Sequence, residues 1–412
     1  EVGDMLGQRS LFGGGFTPGI DFGLGLVGDS YLDRAKERGW LLCADSVATP
    51  ATTAITEDLQ LKASLEPFTD LKIDLNASRT VNRNRSIQYM YVGNPTTETG
   101  SFNMTTISIG TTFQGMGSAS NGYNSKAFQR FMKYLPIMQQ RVEQQYVGLA
   151  YPTSTGLQGR FDPANGTASL YSSDVMIPAF LAAYTGGNPH RSSMEIFPSL
   201  KRMLPNWTIA YKGLSNLPFL RDHFKSVTIN HGYKSIFSIG SYNTFSSWVQ
   251  AMTGSDLGFV ESTAGDIVPT SMYDISTVAI NESFTPLAGV NVTFQNNMTA
   301  KLEYKSTRVL TLSMTSAQIN ETASKDIVLG WGYKIADFKI ASYFGSKATR
   351  KANKGKASAQ EESKTAANRS TTQGRTSSTA SSRSNFAHSL NLRFDFSLRN
   401  QSALTRDIQT GI

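Results

Sequence analysis

The side chains that most often perform chemistry are few in this 412-residue chain, and they are scattered along it. The four histidines are His190, His223, His231 and His388, and none has a partner at the spacing typical of zinc ligands. His231 lies among apolar neighbours in a strand-like stretch, which predicts a hydrogen-bonded structural histidine. The histidines therefore indicate no metal site.

Nucleophiles, phosphate loops and carboxylate pairs are equally scarce. Cys43 is the only cysteine, which excludes a disulfide within the chain and any cysteine-based metal site. The glycine-rich stretch 12–16 lacks the spacing of a phosphate-binding loop, and no nucleophile elbow of the GxSxG type occurs. Asp256, Glu261 and Asp266 lie in a loop without forming a recognisable pair. We therefore predict no enzyme, no cofactor, and no catalytic, cofactor-binding or metal-binding residues.

The net charge of +8 first suggests a nucleic-acid partner, but its location argues against one. Residues 343–385 hold nine basic and two acidic residues, a balance of +7, which leaves +1 for the rest of the chain. This segment is rich in Ser, Thr and Ala and has almost no bulky apolar residue. We predict a disordered, solvated loop and no nucleic-acid binding. The basic residues are Lys347, Arg350, Lys351, Lys354, Lys356, Lys364, Arg369, Arg375 and Arg383.

Alternation of apolar and polar residues dominates the remaining sequence. In the stretch GVNVTFQNNMTAKLEY (289–304), every second residue is apolar except Asn296, while the residues between are polar. This period predicts a β-strand of about fifteen residues with one apolar and one polar face. Ten further segments show the same period: 58–66, 70–78, 86–93, 101–113, 206–213, 225–241, 272–284, 308–316, 326–340 and 389–400.

The connections between these eleven segments differ in length. Those after the fourth, sixth and tenth are long, so every long connection falls on one side of an up-and-down meander. Short turns on one side and long loops on the other are typical of outer-membrane barrels. The predicted fold class is all-β with a helical insertion, in the form of a section of an antiparallel, up-and-down transmembrane β-barrel.

Two segments in the first long connection have helical spacing. Residues 127–146 place Phe128, Phe131, Leu135 and Val142 on one face, with a break expected at Pro136. The second helix is expected at 173–184. We predict that both pack in or over the mouth of the barrel. The expected organisation is barrel strands with an N-terminal loop region (1–113), a helical insertion (114–205), barrel strands (206–342), a basic loop (343–385) and further strands (386–412).

The length of the segments favours a membrane. No run of about 18 apolar residues indicates a transmembrane helix, whereas several alternating segments exceed the 9–11 residues that a tilted spanning strand needs. A bilayer requires a closed barrel, because every backbone polar group must be paired. Eleven strands and a start at Glu1 favour a section of a larger, processed protein. Aromatic residues near strand ends fit interfacial girdles: Trp207, Tyr211, Tyr304, Trp331 and Phe338.

One long stretch also resembles a known family. The pattern in LPNWTIAYKGLSNLPFLRDHFKSVTINHGYKSIFSIGS (204–241) is similar to the SprA/Sov family, the outer-membrane translocon of the type IX secretion system in Bacteroidetes. Segments 289–322, 326–340 and 391–401 support the resemblance. It implies a very wide barrel through which folded cargo proteins are secreted, a role linked to gliding motility. It also implies a PorV-like shuttle barrel and a plug protein as partners, and no catalytic residues.

Two alternatives fit the same alternation. Another outer-membrane transport barrel, such as a porin or a TonB-dependent receptor, would share the lipid-facing strands. A secreted β-rich adhesin or structural protein would instead stack its apolar strand faces on each other in a sandwich.

Overall fold

The structure is a computed structural model that describes most of the chain. Three predictions lie outside the described residues: Cys43, the glycine-rich stretch 12–16 and the basic loop 343–385. The described residues are 31–39, 48–91, 95–118, 120, 122–164, 166–252, 256–261, 265–338 and 388–411.

The main element is an antiparallel sheet with ten strands. Its order is β1-β2-β3-β5-β10-β11-β12-β13, with β4 between β2 and β5 and β9 paired to β5. The sequence-based prediction of a mostly antiparallel all-β fold is therefore confirmed. A small second sheet contains β6, β7 and β8. The strands are β1 (Ala51–Phe68), β2 (Leu71–Ile87), β3 (Thr96–Thr105), β4 (Asn206–Tyr211), β5 (Phe224–Thr244), β6 (Val249–Gln250), β7 (Gly258–Glu261), β8 (Ile267–Thr270), β9 (Tyr273–Ile275), β10 (Thr277–Phe294), β11 (Met298–Ser313), β12 (Gln318–Phe338) and β13 (His388–Asp407).

Several strands are longer than the alternation predicts, and their boundaries differ. The prediction of a single strand over 289–304 was wrong, because β10 ends at Phe294 and β11 begins at Met298. Asn297 adopts a left-handed conformation in the turn, with φ of 64°, which asparagine tolerates better than most residues. The three-residue turn preserves the alternation, because Thr293 pairs with Thr299 on the same face. Likewise residues 317–325 were predicted to connect two strands, but all of them except Ala317 belong to the first half of β12.

The prediction that all long connections share one side was also wrong. The turns 69–70, 212–223 and 295–297 lie at one end of the sheet, and 339–387 joins two strand ends at that same end. The connections 88–95, 245–276 and 314–317 lie at the opposite end. The miscount followed from the unrecognised turn at 295–297 and from taking 79–85, 285–288 and 305–307, which lie inside β2, β10 and β11, as connections.

β3 and β4 occupy one strand position between β2 and β5. Residues 79–87 of β2 pair with β3, and residues 71–76 of β2 pair with β4. The chain thus leaves the sheet after Thr105, in the middle of a strand position, and returns at Asn206 to complete it. The insertion between these residues begins earlier than the predicted residue 114.

Side chains replace the backbone groups that this interruption removes. Asn206 Oδ1 accepts a hydrogen bond from the backbone N–H of Ser235 at 2.7 Å. Thr105 Oγ1 accepts one from the N–H of Ser78 at 3.1 Å. Since Asn206 and Thr105 are both buried, water could not satisfy these groups. The two side chains therefore permit a strand to be interrupted inside a sheet.

The insertion is built on two helices that pack on each other and on the sheet. The first of them, α3 (Lys126–Tyr146), buries one face, whose members include Phe131, Leu135 and Met138. Apolar residues three and four positions apart are expected to share one buried face of a helix. It continues through Pro136, so the predicted break was wrong. α4 is apolar on all sides and almost wholly buried. The described α-helices are α1 (Tyr31–Glu37), α2 (Ile109–Thr112), α3 (Lys126–Tyr146), α4 (Ser173–Thr185) and α5 (Pro218–Arg221).

Replacing Asn206 by alanine tests the interrupted strand. Removing the side-chain acceptor leaves the N–H of Ser235 buried and unpaired, so we expect the free energy of unfolding to fall by about 1–3 kcal/mol. Urea-dependent proteolysis of the insertion measures this loss. Asn206→Asp keeps an acceptor oxygen and serves as the control, with a smaller loss expected. Equal losses in both variants would contradict the assigned role.

Candidate functional surface

One face of the main sheet carries a continuous band of apolar side chains. Paired residues of antiparallel strands lie on the same face. Val290 pairs with Ile229 and with Leu302, Leu302 pairs with Leu329, and Leu329 pairs with Phe396. We call this band the apolar belt. It comprises Leu61, Ala63, Leu65, Leu71, Ile73, Leu75, Trp207, Ile209, Tyr211, Val227, Ile229, Val290, Val292, Ala300, Leu302, Tyr304, Ile327, Leu329, Trp331, Leu390, Leu392, Phe394, Phe396 and Leu398.

Much of the belt is exposed. Leu61 is 53% exposed, Phe394 72% and Leu398 59%. Along β13 the apolar alternation runs from Leu390 to Leu398, which is about 26 Å at roughly 3.3 Å per residue. Soluble monomers rarely leave so large a contiguous apolar patch uncovered. The belt is therefore a surface that some further apolar phase or protein layer must cover.

The opposite face at the same level is polar. On β13 the residues between the belt positions are Asn391, Arg393, Asp395, Ser397 and Arg399. Charged side chains on this face pair with one another. Lys301 Nζ lies 2.9 Å from Glu303 Oε1, and Arg399 Nη2 lies 2.9 Å from Asp326 Oδ2. The sheet thus separates an apolar side from a side suited to water.

Aromatic residues predicted as girdle positions lie on the belt face. Trp207 is the second residue of β4 and stacks on Tyr233, with ring centroids 4.5 Å apart. Tyr211 ends the same strand, so the two rings lie toward opposite margins of the belt. By register, Tyr304 lies level with Leu398 at one margin of the belt, whereas Trp331 pairs with Phe394 in the middle of the belt. The side chain of Phe338 lies outside the described residues.

The helical insertion covers a neighbouring part of this same face. Beyond the belt, Phe237, Ile280 and Leu310 share the belt's face by strand register, and they are buried in one core cluster with α3 and α4. The insertion therefore leaves the polar face open. The predicted helices exist, and they lie beside the belt rather than against the polar side.

A buried Arg–Glu–Arg group fixes the insertion in this position. Glu321 Oε1 accepts from Arg308 Nε, and Glu321 Oε2 accepts from Arg406 Nη1, both at 2.9 Å. Each arginine also reaches the insertion, because Arg308 donates to Thr111 Oγ1 at 2.9 Å and Arg406 donates to the carbonyl of Met116. All three charged side chains are at most 5% exposed. The group thus joins β11, β12 and β13 to the covering segment.

Aromatic rings complete the surroundings of these charges. Arg308 lies over the ring of Tyr184 on α4, at 5.6 Å, and Arg406 lies over Phe128 on α3, at 5.5 Å. Burial raises the pKa of the Tyr184 hydroxyl, so it stays neutral beside the three charges. Such cation–π contacts are stronger when water is excluded.

The chemistry-bearing residues considered in the sequence that the structure describes do not come together in a metal-binding group. His231 Nδ1 donates to the carbonyl of Leu287 at 2.6 Å, which confirms it as a hydrogen-bonded structural histidine. Across the described ranges, no group of three or more His, Cys, Asp or Glu side chains could hold a metal ion. Asp256 lines a cavity between the insertion and the connection 245–276, a neighbourhood that the sequence did not indicate.

Helices of the described part of the chain are all too short or too polar to cross a membrane.

No protein-family model matches this chain, and no curated protein matches it in sequence.

Replacing Glu321 by alanine tests the docking of the insertion. Two buried arginines would lose their shared carboxylate, which costs about 3–5 kcal/mol when one partner of a buried pair is removed. We expect the urea midpoint for proteolysis of the insertion to fall accordingly. The control is Asp395→Ala, which removes the exposed pair with Arg393 and should change the free energy by less than about 1 kcal/mol. Equal effects would contradict a docking role.

Proposed function

We propose that this chain is a section of an outer-membrane protein-conducting channel, with the apolar belt facing lipid and the polar face lining a water-filled passage. The continuous, exposed belt is the observation that carries the proposal. Its partners would be outer-membrane lipid and secreted cargo proteins that pass along the polar face.

The dimensions of the belt support contact with a bilayer. Outer-membrane barrels show an outward apolar band about 25 Å tall, crossed by strands tilted by about 35–45°. A tilted spanning strand needs about 9–11 residues, and the apolar alternation from Leu390 to Leu398 covers nine. Aromatic side chains near both margins fit the interfaces between hydrocarbon and water. Among the described strands, β1 and β13 lie at the two edges of the sheet, and a bilayer offers their outer backbone groups no hydrogen-bond partner. A complete channel would therefore pair them with further strands.

The polar face supports a wide passage. Its charged and amide side chains at belt level, such as Lys301, Asn391 and Arg393, have no apolar cover from the insertion. A barrel wide enough to conduct folded proteins needs an interior that stays hydrated and is not filled by side chains. The insertion, docked beside the belt, would extend the wall beyond the bilayer and leave the passage free.

The resemblance of 204–241 to the SprA/Sov family supports a role in type IX secretion and gliding motility. By that resemblance, a PorV-like shuttle barrel and a plug protein would be further partners. Porins and TonB-dependent receptors would share the belt, and capture of an exported protein on the polar face separates them from a protein-conducting channel.

Spin labels along β13 test the contact with lipid. In a Cys43→Ala background, single cysteines at positions 392–399 of the full-length protein in its membrane are labelled with a nitroxide. We expect the even positions to be accessible to oxygen dissolved in the bilayer and the odd positions to a water-soluble nickel chelate. This alternation follows from the two faces of the strand.

The adhesin alternative gives a different outcome in the same experiment. Stacking of the belt on a second protein layer would hide the even positions from both reagents. That result would overturn the proposed membrane location.

Site-specific photo-crosslinking tests protein conduction. A photoreactive residue at Thr299 on the polar face should capture an exported reporter protein in transit, whereas the same residue at Leu302 on the belt should not. A reporter without its export signal is the control. Permeation of small solutes without reporter capture at Thr299 would favour a porin or a receptor and contradict the proposal.

A further inference from the structure

A cavity of about 460 Å³ lies at the margin of the apolar belt, where the belt meets the insertion. Its floor is the belt face of β11, β12 and β13, and one wall is the loop 112–117 of the insertion. Tyr304, the last belt residue on β11, lines it, so the cavity begins where the belt ends. If the belt faces hydrocarbon, the cavity lies at the level of the polar lipid headgroups.

Lys325 is the first charged residue beyond the belt on the apolar side of β12. It lies two residues before Ile327 and on the same face. The corresponding residues on β11 and β13, Arg308 and Arg406, are buried and share the carboxylate of Glu321. Lys325 is exposed, and it has no ion-pair partner among the described residues. The protein cover therefore leaves one cation on the apolar side without a counter-ion.

The lining of the cavity carries an excess of positive charge. Its charged lining residues are Arg308, Glu321 and Lys325, and Glu321 already lies 2.9 Å from each of two arginines. The hydroxyl groups of Ser306 and Ser402 add hydrogen-bond donors to the same lining. An ammonium group beside such donors suits the oxygens of a phosphate, and basic pockets at the membrane surface bind phosphorylated lipid headgroups.

An exposed aromatic ring stands at the mouth of the cavity. Phe113 is 68% exposed and lines the cavity, and its ring lies 5.6 Å from that of Phe284. A single exposed phenylalanine needs no explanation by itself. Between the belt and a basic cavity, however, its ring is placed to contact acyl chains just below the headgroups, as apolar side chains of interfacial segments do.

The loop that forms the wall is held in place by side chains. Arg406 donates to the carbonyl of Met116. Gln114 Nε2 donates to the carbonyl of Gly110 at 3.1 Å, and Gln114 Oε1 accepts from Arg130 Nη2 at 2.9 Å. The cavity is therefore formed before any ligand enters it, which lowers the entropic cost of binding.

We propose that this cavity binds the phosphate headgroup of an anionic membrane lipid, with Lys325 as its counter-ion and Phe113 against its acyl chains. Ser306 and Ser402 donate hydrogen bonds to the phosphate. A zwitterionic headgroup fits less well, because its own cation would meet Lys325 and Arg308. The bound lipid fixes the depth at which the junction of belt and insertion sits in the bilayer. This inference rests on the membrane location proposed above.

Site-specific photo-crosslinking to lipid tests the site. The full-length protein is reconstituted in bilayers of phosphatidylglycerol and phosphatidylcholine in equal amounts. A photoreactive residue replaces Phe113 or, as a matched control, Phe394 in the middle of the belt, which is 72% exposed. Mass spectrometry counts the captured lipids. We expect phosphatidylglycerol to exceed phosphatidylcholine about fivefold at Phe113, as one lysine near an anionic headgroup gives, and no such excess at Phe394.

Two lysine variants and a soluble competitor complete the test. Lys325→Gln should reduce the excess at Phe113 to the value at Phe394. Lys305→Gln removes an equal charge from the polar face of the sheet, where Lys305 pairs with Glu303, and should leave the excess unchanged. Glycerol 3-phosphate in the aqueous phase carries the phosphate without the acyl chains and should not compete.

The possible failures separate the lipid site from the membrane location. Equal lipid ratios at Phe113 and Phe394, an excess that persists in Lys325→Gln, or competition by glycerol 3-phosphate would overturn the lipid site and leave the membrane location standing. Capture of neither lipid at either position would refute the membrane location, and the lipid site with it.

Discussion

Covering the apolar face of long antiparallel strands is the constraint on which the rest of this structure depends. The strands run for up to 21 residues, and their register keeps the apolar side chains on one face throughout. The insertion covers one part of that face and makes it a protein core, with Phe237 and Ile280 fully buried. The other part, around Leu302 and Phe394, stays exposed. Two different covers on a single face are the central feature of the molecule, and the lipid cover is the one we propose for the belt.

The interrupted strand position makes this division possible. A loop leaving from a strand end would have to fold back along the sheet to reach the middle of the face. The insertion instead starts at mid-sheet, where Ser108 N–H donates to the Tyr233 hydroxyl and Ser108 Oγ donates to Glu282 Oε1. Such an exit would ordinarily leave buried backbone groups unpaired. Asn206 and Thr105 satisfy them, so the interruption is compatible with a continuous sheet.

The amino-acid sequence predicts the two faces of the sheet well, but it predicts poorly what covers the apolar face. The alternation of apolar and polar residues continues across the turn between Phe294 and Met298. The sequence therefore predicts the two faces of these strands correctly, although it does not predict the turn. Asn206 is the first residue of an Asn-Trp-Thr sequence, which has the pattern of a glycosylation site and gives no indication of the structural role of Asn206. The buried group of Arg308, Glu321 and Arg406 depends on contacts between distant segments, and a single sequence gives no local pattern for them. The apolar residues at 278–284 would look the same under lipid or under a helix.

The polar residues on the apolar face nevertheless distinguish the two covers. Along β11 the belt side reads Met298, Ala300, Leu302 and Tyr304, and the same side then continues with Ser306 and Arg308. A hydrocarbon phase offers no hydrogen-bond partner, so a charge such as Arg308 would be very costly there. A folded insertion can supply partners, and here Thr111 and Tyr184 do so. On β11 and β13 the first charged residue on the apolar side, Arg308 and Arg406 respectively, therefore marks where the protein cover begins.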